Sequence, residues 1–154
     1  MYTIRTASLR DIDDVVDLRL KLLEELGIVN SGDDSIRFRE STRGYFIKKI
    51  QTSDFKAWVA DSGSDIVSMT SIQFIDHPPV KELAHAIDAH VMDVYTIKDM
   101  RGKGVAAELL ARVIEYAKNN NAQRVVINTI GRDTRIYAKL GFVQTTTDME
   151  LALK

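Results

Sequence analysis

The sequence predicts a mixed α/β protein, an α+β sheet whose elements follow the order β-α-α-β-β-β-α-β-α-β. Segments of alternating or β-branched residues occur between segments with helical spacing. In the C-terminal half a strand, a helix and a strand follow one another, which predicts two parallel strands joined by a crossover. The 154 residues, 45% of them hydrophobic, suit a single domain over 1–154 with one core.

The N-terminal elements are a short strand and a helix. Tyr2–Thr6 alternates in polarity and predicts the strand. Ser8 offers an N-cap, and Asp11 follows three residues later, where an acidic side chain favours a helix start. The helix should continue to about Leu26 and stop at Gly27. Its apolar stripe consists of Ile12, Val15, Val16, Leu22, Leu23 and Leu26.

A second helix and a hairpin come next. The helix should begin at position 33 or 34 and reach about position 50. Two strands, Phe55–Asp61 and Ile66–Ile75, are joined by turn residues 62–65. Residues 76–82 contain both prolines of the chain and predict a loop.

The C-terminal half opens with a central strand, Asp88–Thr96, that mixes apolar and β-branched residues. A loop containing two glycines, Arg101–Gly104, leads into a helix with an unbroken apolar stripe, which Asn119–Asn121 ends. The remaining predicted elements are a strand over Arg124–Thr129, a short helix over Asp133–Leu140 and a final strand over Phe142–Leu153.

Composition excludes several classes of function. The absence of cysteine excludes disulfides, thiolate metal ligands and a cysteine nucleophile. A formal charge of −1 argues against nucleic acid as a partner, and no segment is apolar for long enough to span a membrane. With no signal-peptide pattern at the start, we expect a soluble cytoplasmic protein. His77 and His85 suggest surface loop residues, and the three histidines lack ligand spacing, so no metal is expected.

The clearest local feature is the segment Arg101–Ala106, between a strand and a helix. Gly102 and Gly104 let the backbone approach a ligand closely, and the helix start behind them offers unpaired N–H groups and the positive end of a dipole. Arg101 and Lys103 add positive charge. The segment therefore predicts a phosphate or pyrophosphate site, with a plain strand-to-helix turn as the alternative.

Several segments in order resemble the GNAT superfamily of acetyl-CoA-dependent N-acetyltransferases: Asp93-Val94-Tyr95-Thr96, Arg101-x-x-Gly104-x-Ala106, an amphipathic helix, a strand, and Tyr137-Ala138-Lys139-Leu140-Gly141-Phe142. The second segment is similar to the pyrophosphate loop of the family, and the last to its C-terminal motif. The order of elements over the whole chain also resembles that fold. The resemblance implies a splayed central pair of strands and acetyl-CoA as cosubstrate.

The resemblance also implies how the cofactor binds. The pantetheine arm would pair with the free backbone groups of Val94, Tyr95 and Thr96, where the strand splays from its parallel neighbour. A backbone N–H there would stabilise the oxygen of the acetyl group as it becomes anionic. The amide of Asn128 could meet the pantetheine arm, or Asn128 is simply a polar residue at a strand end. The residues implied to hold the pyrophosphate are Gly102, Lys103, Gly104, Val105 and Ala106.

A general acid is implied by the same resemblance. Tyr137 matches the tyrosine of the family that protonates the departing thiolate. The pKa of an unperturbed tyrosine, about 10, suits an acid acting toward a thiolate of similar basicity. The alternative is a core aromatic residue that packs against Phe142.

The general base stays open between a carboxylate, a histidine and a chain of water molecules. Asp88 lies early on the central strand, roughly where histone-type relatives carry a basic glutamate. Asp93 lies beside the implied splay and could bind a cationic acceptor. Strand alternation predicts Asp88, His90 and Met92 on one face of the sheet, and Asp93 with Tyr95 on the other.

Arg19 interrupts the apolar stripe of the first helix. In the family the first helices wall the acceptor pocket, so the guanidinium could bind an acceptor carboxylate through two hydrogen bonds. Alternatively, the Arg19 side chain extends along apolar surface to bring its charge to solvent, or it pairs with an acid such as Glu40 or Asp93, and this structural interpretation is favoured.

The predicted function is transfer of the acetyl group of acetyl-CoA to a primary amine, with Tyr137 as general acid. A small-molecule amine is the expected acceptor, a protein amino group stays open, and the protein could form a homodimer. Two other classes compete with this one. They are a non-catalytic module that senses acyl-CoA and a nucleotide-phosphate-binding regulator. An open acceptor pocket favours the enzyme, and a blocked one favours the module.

Overall fold

A five-stranded mixed sheet organises the computed structural model, which describes residues 1–30, 32–79, 86–129, 133–145 and 149–154. The strands are β1 (Thr3–Thr6), β2 (Phe55–Asp61), β3 (Ile66–His77), β4 (Ala86–Thr96) and β5 (Arg124–Ile127). They lie side by side in chain order. Neighbours from β1 to β4 pair antiparallel, whereas β4 and β5 pair parallel, as the sequence predicts.

Helices cover both faces of the sheet. They are α1 (Ile12–Glu25), α2 (Asp33–Lys49), α3 (Val105–Asn119) and α4 (Arg135–Lys139). The helices α1 and α2 pack over one face, where Val16, Phe46 and Met69 belong to one buried cluster. The helix α3 packs over the other face, where Leu109 and Ile72 belong to a second buried cluster, with α4 beside it. Within the described ranges, no helix is both long enough and apolar enough to cross a membrane.

A β-bulge interrupts β4 at Met92. Ser71 on β3 pairs with Asp93, whereas the next residue, Ile72, pairs with Val91, so Met92 is the extra residue. Such a bulge inserts one residue on one strand and reverses the face on which the following side chains lie. The bulge falls four residues before the end of β4 at Thr96.

The bulge makes the predicted alternation along β4 wrong. Val91 belongs to the cluster under α3, but Tyr95, four residues later, belongs to the cluster under α1 and α2. An uninterrupted strand would place both on one face. Asp88 and His90, which alternate with Val91, therefore share the α1–α2 face with Asp93 and Tyr95.

The parallel pair separates beyond the bulge. The register of β4 with β5 runs from Asp88 opposite Arg124 to Val91 opposite Ile127 and stops there. Residues 93–96 of β4 remain paired with β3 on the other side. The described part of β5 does not pair with residues 94–96, so this side of β4 has no neighbouring strand there and is called the free edge of β4 below, although Arg101 donates to the carbonyl of Thr96. The implied splay of the central strands is thus present.

One predicted strand and several predicted boundaries are wrong. The final strand, Phe142–Leu153, is not formed by residues 142–145 or 149–154, and 146–148 lie outside the described residues. The predicted loop 76–82 begins too early, because Asp76 and His77 still pair with β4. Its last three positions, and His85, also lie outside the described residues.

An ion-pair network joins β1 to the start of α1. The guanidinium of Arg5 donates to both oxygens of Asp11 at 2.8 Å and to Asp61 at 2.8 Å. The N–H of Ser8 donates to Asp11 at 2.8 Å. Mainly through the bond from Arg5, and against the effect of burial, the pKa of Asp11 is lowered to about 2. Asp11 is predicted to favour the helix start, and through Arg5 it also connects that start to β1 and β2.

We predict that Asp11→Asn destabilises the protein by roughly 2 kcal/mol at neutral pH. Because the folded pKa of about 2 lies below the unfolded value of 3.8, the ionised carboxylate stabilises the fold above pH 4. That contribution is lost as the pH falls toward the folded pKa. Urea unfolding should show the difference between parent and variant shrinking by about half between pH 7 and pH 3. An equal difference at both pH values would refute the linkage.

Candidate active site

The glycine loop, residues 101–104, ends at the N-terminus of α3. Gly102 and Gly104 have φ angles of +75° and +82°, which side chains with a Cβ rarely adopt. Gly104 is the N-cap of α3, and its carbonyl accepts the N–H of Glu108 at 3.0 Å. The N–H groups of the first turn therefore have no helical acceptors of their own. Together with the helix dipole they can bind an anion.

A cavity of about 500 Å³ connects the glycine loop, the free edge of β4, the C-terminal part of α1, and α4. The loop and the strand edge meet here because β4 leads into the loop and α3 starts behind it. The sequence-predicted residues that line this cavity are Val94, Tyr95, Thr96, Arg101, Gly102, Gly104, Val105, Ala106 and Tyr137.

Two other predicted cofactor residues do not line the cavity. Lys103 is exposed in the glycine loop, with its ammonium 3.8 Å from the sulfur of Met100. Asn128 is exposed and follows β5, which ends at Ile127, two residues before its predicted end. Contacts of either side chain with the cofactor stay predictions.

Arg101 connects the glycine loop to α1. Its guanidinium donates to both carboxylate oxygens of Glu25 at 2.9 Å, and its Nε donates to the carbonyl of Thr96 at 2.8 Å. It also lies 5.3 Å from the centre of the Tyr95 ring, within cation–π range. Its charge, which the sequence assigns to phosphate binding, is thus shared with a carboxylate at the cavity wall.

Glu25 is a cavity residue that the sequence analysis missed. It accepts hydrogen bonds from Arg101 and from the hydroxyl of Tyr95, the latter at 3.0 Å. Burial raises the pKa of Glu25, but these bonds outweigh it and the pKa is lowered. A carboxylate in the last turn of a helix opposes the helix dipole, so it calls for a cation nearby. The unfavourable position of this carboxylate was the feature of the sequence that could have indicated a cationic partner for Glu25.

Tyr137 is the third residue of α4 and is 5% exposed. It lines the cavity beside the glycine loop. Its ring also meets Phe142 edge to face, with centroids 6.0 Å apart. The residue therefore packs against Phe142, as the structural interpretation expects, and also borders the cavity, as a general acid requires.

Arg19 pairs with Asp93 between α1 and β4. Asp93 is one of the two acids that the favoured structural interpretation names, and the pair accounts for an arginine in the apolar stripe. Asp93 is 3% exposed. The same two charges act on the phenol of Tyr45 on α2. Burial raises the pKa of Tyr45, the charge of Asp93 raises it further, and the charge of Arg19 lowers it.

An unsatisfied hydroxyl lies next to this pair. Ser71 is directly opposite Asp93 in the sheet, and residues so paired share a face. Its Oγ is buried and has no hydrogen-bond partner among the described residues. Buried polar atoms are rarely left unpaired, so such a group calls for a ligand or a water molecule.

Asp88 lies near the opposite end of β4. Arg124 donates to both of its carboxylate oxygens, at 2.8 and 2.7 Å, and Nε2 of His77 lies 2.8 Å away. Chiefly the bond from Arg124 lowers the pKa of Asp88, against the effect of burial. Five residues of strand, roughly 16 Å, separate Asp88 from Asp93. The structure thus does not bring the two predicted acids together.

Comparison with known proteins first defines the class. The family model described as an acetyltransferase (GNAT) domain matches residues 37–152. A crystal structure of a predicted acetyltransferase with acetyl-CoA from Clostridium acetobutylicum superimposes with a TM-score of 0.85. It is 28% identical, over 99% of this chain and 97% of that one. The chain belongs to the GNAT acetyltransferase family, whose enzymes use acetyl-CoA as cosubstrate.

Other relatives are less similar in sequence or match over a shorter segment. A transcriptional regulator from Bacillus halodurans C-125 has the same fold, with a TM-score of 0.76 and 21% identity over 99% of this chain and all of that one. Glucosamine 6-phosphate N-acetyltransferase 1 of Oryza sativa subsp. japonica is 36% identical over 62 residues, 40% of this chain. The match spans 38% of that curated relative's length. The predicted superfamily and mixed α/β fold are confirmed.

We predict that Gly104→Val abolishes the stabilisation of the protein by acetyl-CoA. Because φ is +82° at this position, valine must change the loop and move the N–H groups that face the cavity. For the parent, saturation near a hundred times Kd should raise Tm by roughly 5–10 °C. Thermal unfolding with and without acetyl-CoA measures this rise.

The matched control is Gly63→Val, in the turn between β2 and β3. Gly63 has a φ of +95°, so valine meets a similar backbone strain away from the cavity. The control should melt lower but keep its full shift with acetyl-CoA. A Gly104→Val protein that keeps the shift would contradict a pyrophosphate site at this loop.

Proposed function

We propose that the protein transfers the acetyl group of acetyl-CoA to a primary amine of a small molecule, by direct attack of the amine on the thioester. The supporting observation is the single cavity that the glycine loop, the free edge of β4 and Tyr137 share. The N–H groups at the start of α3 suit the pyrophosphate. The strand edge suits the pantetheine amides, which would carry the thioester toward the bulge.

In the proposed reaction the amine nitrogen forms a bond to the carbonyl carbon of the acetyl group. The carbonyl oxygen becomes anionic, and a backbone N–H at the end of β4 stabilises it. The carbon–sulfur bond then breaks, and the sulfur takes a proton from the hydroxyl of Tyr137. An acceptor that arrives as an ammonium loses one proton before the attack and a second to solvent as the amide forms, and the phenolate regains a proton from solvent.

Asp93 is the acid that we assign to the acceptor. It immediately precedes Val94, where the cavity begins along β4, and it lies on the face that α1 and α2 cover. A buried carboxylate there attracts an ammonium and can take its proton directly or through water. Each acid is paired with an arginine, but Asp88 lies near the other end of β4, away from the cavity, so we favour Asp93 over it.

Arg19 is assigned a positioning role. Its guanidinium already serves Asp93, and it would fix that carboxylate against the bulge rather than bind an acceptor carboxylate. The orphan hydroxyl of Ser71, on the same face, supplies a hydrogen-bonding group for the acceptor.

An amino sugar phosphate is the first acceptor to assay. The relative from Oryza sativa is named for glucosamine 6-phosphate, and its 62-residue match supports testing that compound before a wider panel of amines. Release of free thiol from acetyl-CoA reports turnover with any of them. If no amine on the panel releases thiol although acetyl-CoA binds, the non-catalytic acyl-CoA-sensing module replaces this proposal.

Tyr137→Phe should lower kcat roughly 10²- to 10⁴-fold, because only the hydroxyl of the proposed general acid is lost. The ring keeps its contact with Phe142, and the KM for acetyl-CoA should stay within a few fold. Steady-state kinetics with the best acceptor measures both. Tyr116→Phe, on α3, is the control that should change neither.

The general-acid role is refuted if kcat falls less than about threefold and single-turnover acetyl transfer is equally unaffected. Tyr137 would then be a packing residue, and water would protonate the thiolate. An effect confined to multiple turnover would instead indicate that Tyr137 acts on product release.

Arg19→Ala should reduce kcat/KM for every amine acceptor while the KM for acetyl-CoA stays unchanged, because Asp93 loses the cation that orients it. Arg19→Lys should restore part of the loss. A set of matched amines with and without a carboxylate separates the two roles. If only the carboxylate-bearing amines are affected, Arg19 binds the acceptor directly. If only stability changes, Arg19 has a structural role alone.

A further inference from the structure

We propose that His77, Asp88 and His90 form a binding site for a transition-metal dication of the zinc class, apart from the acyl-CoA cavity. Nε2 of His77 lies 2.8 Å from Oδ2 of Asp88, and Nε2 of His90 lies 3.9 Å from the same oxygen. The three ligand atoms all lie within 4.8 Å of one another. None of these residues lines the cavity at the glycine loop.

The sheet brings these residues together although they are distant in sequence. His77 is the last residue of β3, and Asp88 and His90 are alternate residues of β4. Asp88 pairs with Ile75 and His90 with Gln73, so the antiparallel register places all three side chains on one face. It is the α1–α2 face, which also carries Asp93.

The donor set suits zinc-like ions. Two imidazole nitrogens and one carboxylate oxygen are the protein ligands of many three-ligand zinc sites. Bond lengths of about 2.0–2.2 Å in tetrahedral geometry place neighbouring ligand atoms roughly 3.3 Å apart. The two measured separations bracket that value, so small side-chain rotations complete the site. A fourth position stays open for water or an anionic oxygen.

Burial differs among the ligands in a way that suits metal entry. Asp88 is 4% exposed and its carboxylate is fixed, whereas the side chains of His77 and His90 are 41% and 33% exposed. A cation can therefore reach the carboxylate from the side of the imidazoles. Nε2 of His77 faces the carboxylate at 2.8 Å, and a metal bound there would take the place of that contact.

Arg124 competes for the carboxylate. Its guanidinium holds both oxygens of Asp88, and its positive charge opposes a second cation there. The side chain is 65% exposed, so it can move aside at small steric cost. The competition predicts that Arg124→Gln tightens metal binding several fold, which is opposite to the effect of removing a ligand.

Cobalt(II) titration of the full chain tests the site without reference to acetyl transfer. Tetrahedral Co²⁺ bound by nitrogen and oxygen absorbs visibly far more strongly than the hydrated ion, and added Zn²⁺ should displace it. We expect this absorption in the parent, its loss in His77→Ala and in His90→Ala, and tighter binding in Arg124→Gln. Asp76→Asn is the control: this exposed acid precedes His77 and points to the other face, so binding should persist.

Circular dichroism of each variant, and its thermal shift with acetyl-CoA, verify that the fold and the acyl-CoA cavity are intact. The proposal is overturned if the parent gives no such absorption in excess Co²⁺, or if both histidine variants bind as tightly as the parent. Equal loss in Asp76→Asn would also overturn it. None of these outcomes bears on acetyl transfer, so the proposed function stands or falls separately.

Discussion

The free backbone edge at the end of β4 is the constraint on which the site depends. The bulge at Met92 and the end of pairing with β5 after Val91 leave one side of residues 94–96 without a neighbouring described strand. Unpaired backbone N–H and C=O groups at a strand edge either cost free energy or form hydrogen bonds with another strand or a ligand. In this protein the strand edge and the start of α3 line the same cavity. The amides of a ligand would pair with the strand edge, and its phosphates would bind the N–H groups at the start of α3. This arrangement agrees with membership of the GNAT family.

Two ion pairs connect α1 to the end of β4 and to the glycine loop. The helix α1 crosses the end of β4 and must bring its polar residues to a buried surface. It does so with two cross-element pairs, Arg19 with Asp93 and Glu25 with Arg101. Asp93 is buried, so removing Arg19 takes away the cation that pairs with a buried carboxylate, whereas Glu25 and Arg101 are half-exposed. These pairs therefore fix α1 against the strand edge at the place where we propose that acceptor and thioester meet.

The sequence predicted most of the fold, because apolar periodicity reports local burial. The prediction failed where contacts between residues distant in sequence determine the structure. Alternation cannot show a bulge, so Asp88 and His90 were placed on the wrong face. The segment after Gly141 has alternating apolar residues, yet Leu151 and Leu153 are 82% and 87% exposed. The glycine loop and Tyr137 were predictable because each belongs to a short motif. Glu25 gave only a weak signal, a carboxylate in the last turn of a helix, because its partner Arg101 lies 76 residues away.

Hydrogen–deuterium exchange with and without acetyl-CoA tests the role of the free edge most directly. Each backbone amide reports its own hydrogen bond, so binding to the edge and the glycine loop is distinguished from binding elsewhere. The account predicts slower exchange on binding in residues 93–96 and 102–106, with little change in β1 and β2. Protection that spares both segments, while acetyl-CoA still binds, would contradict it.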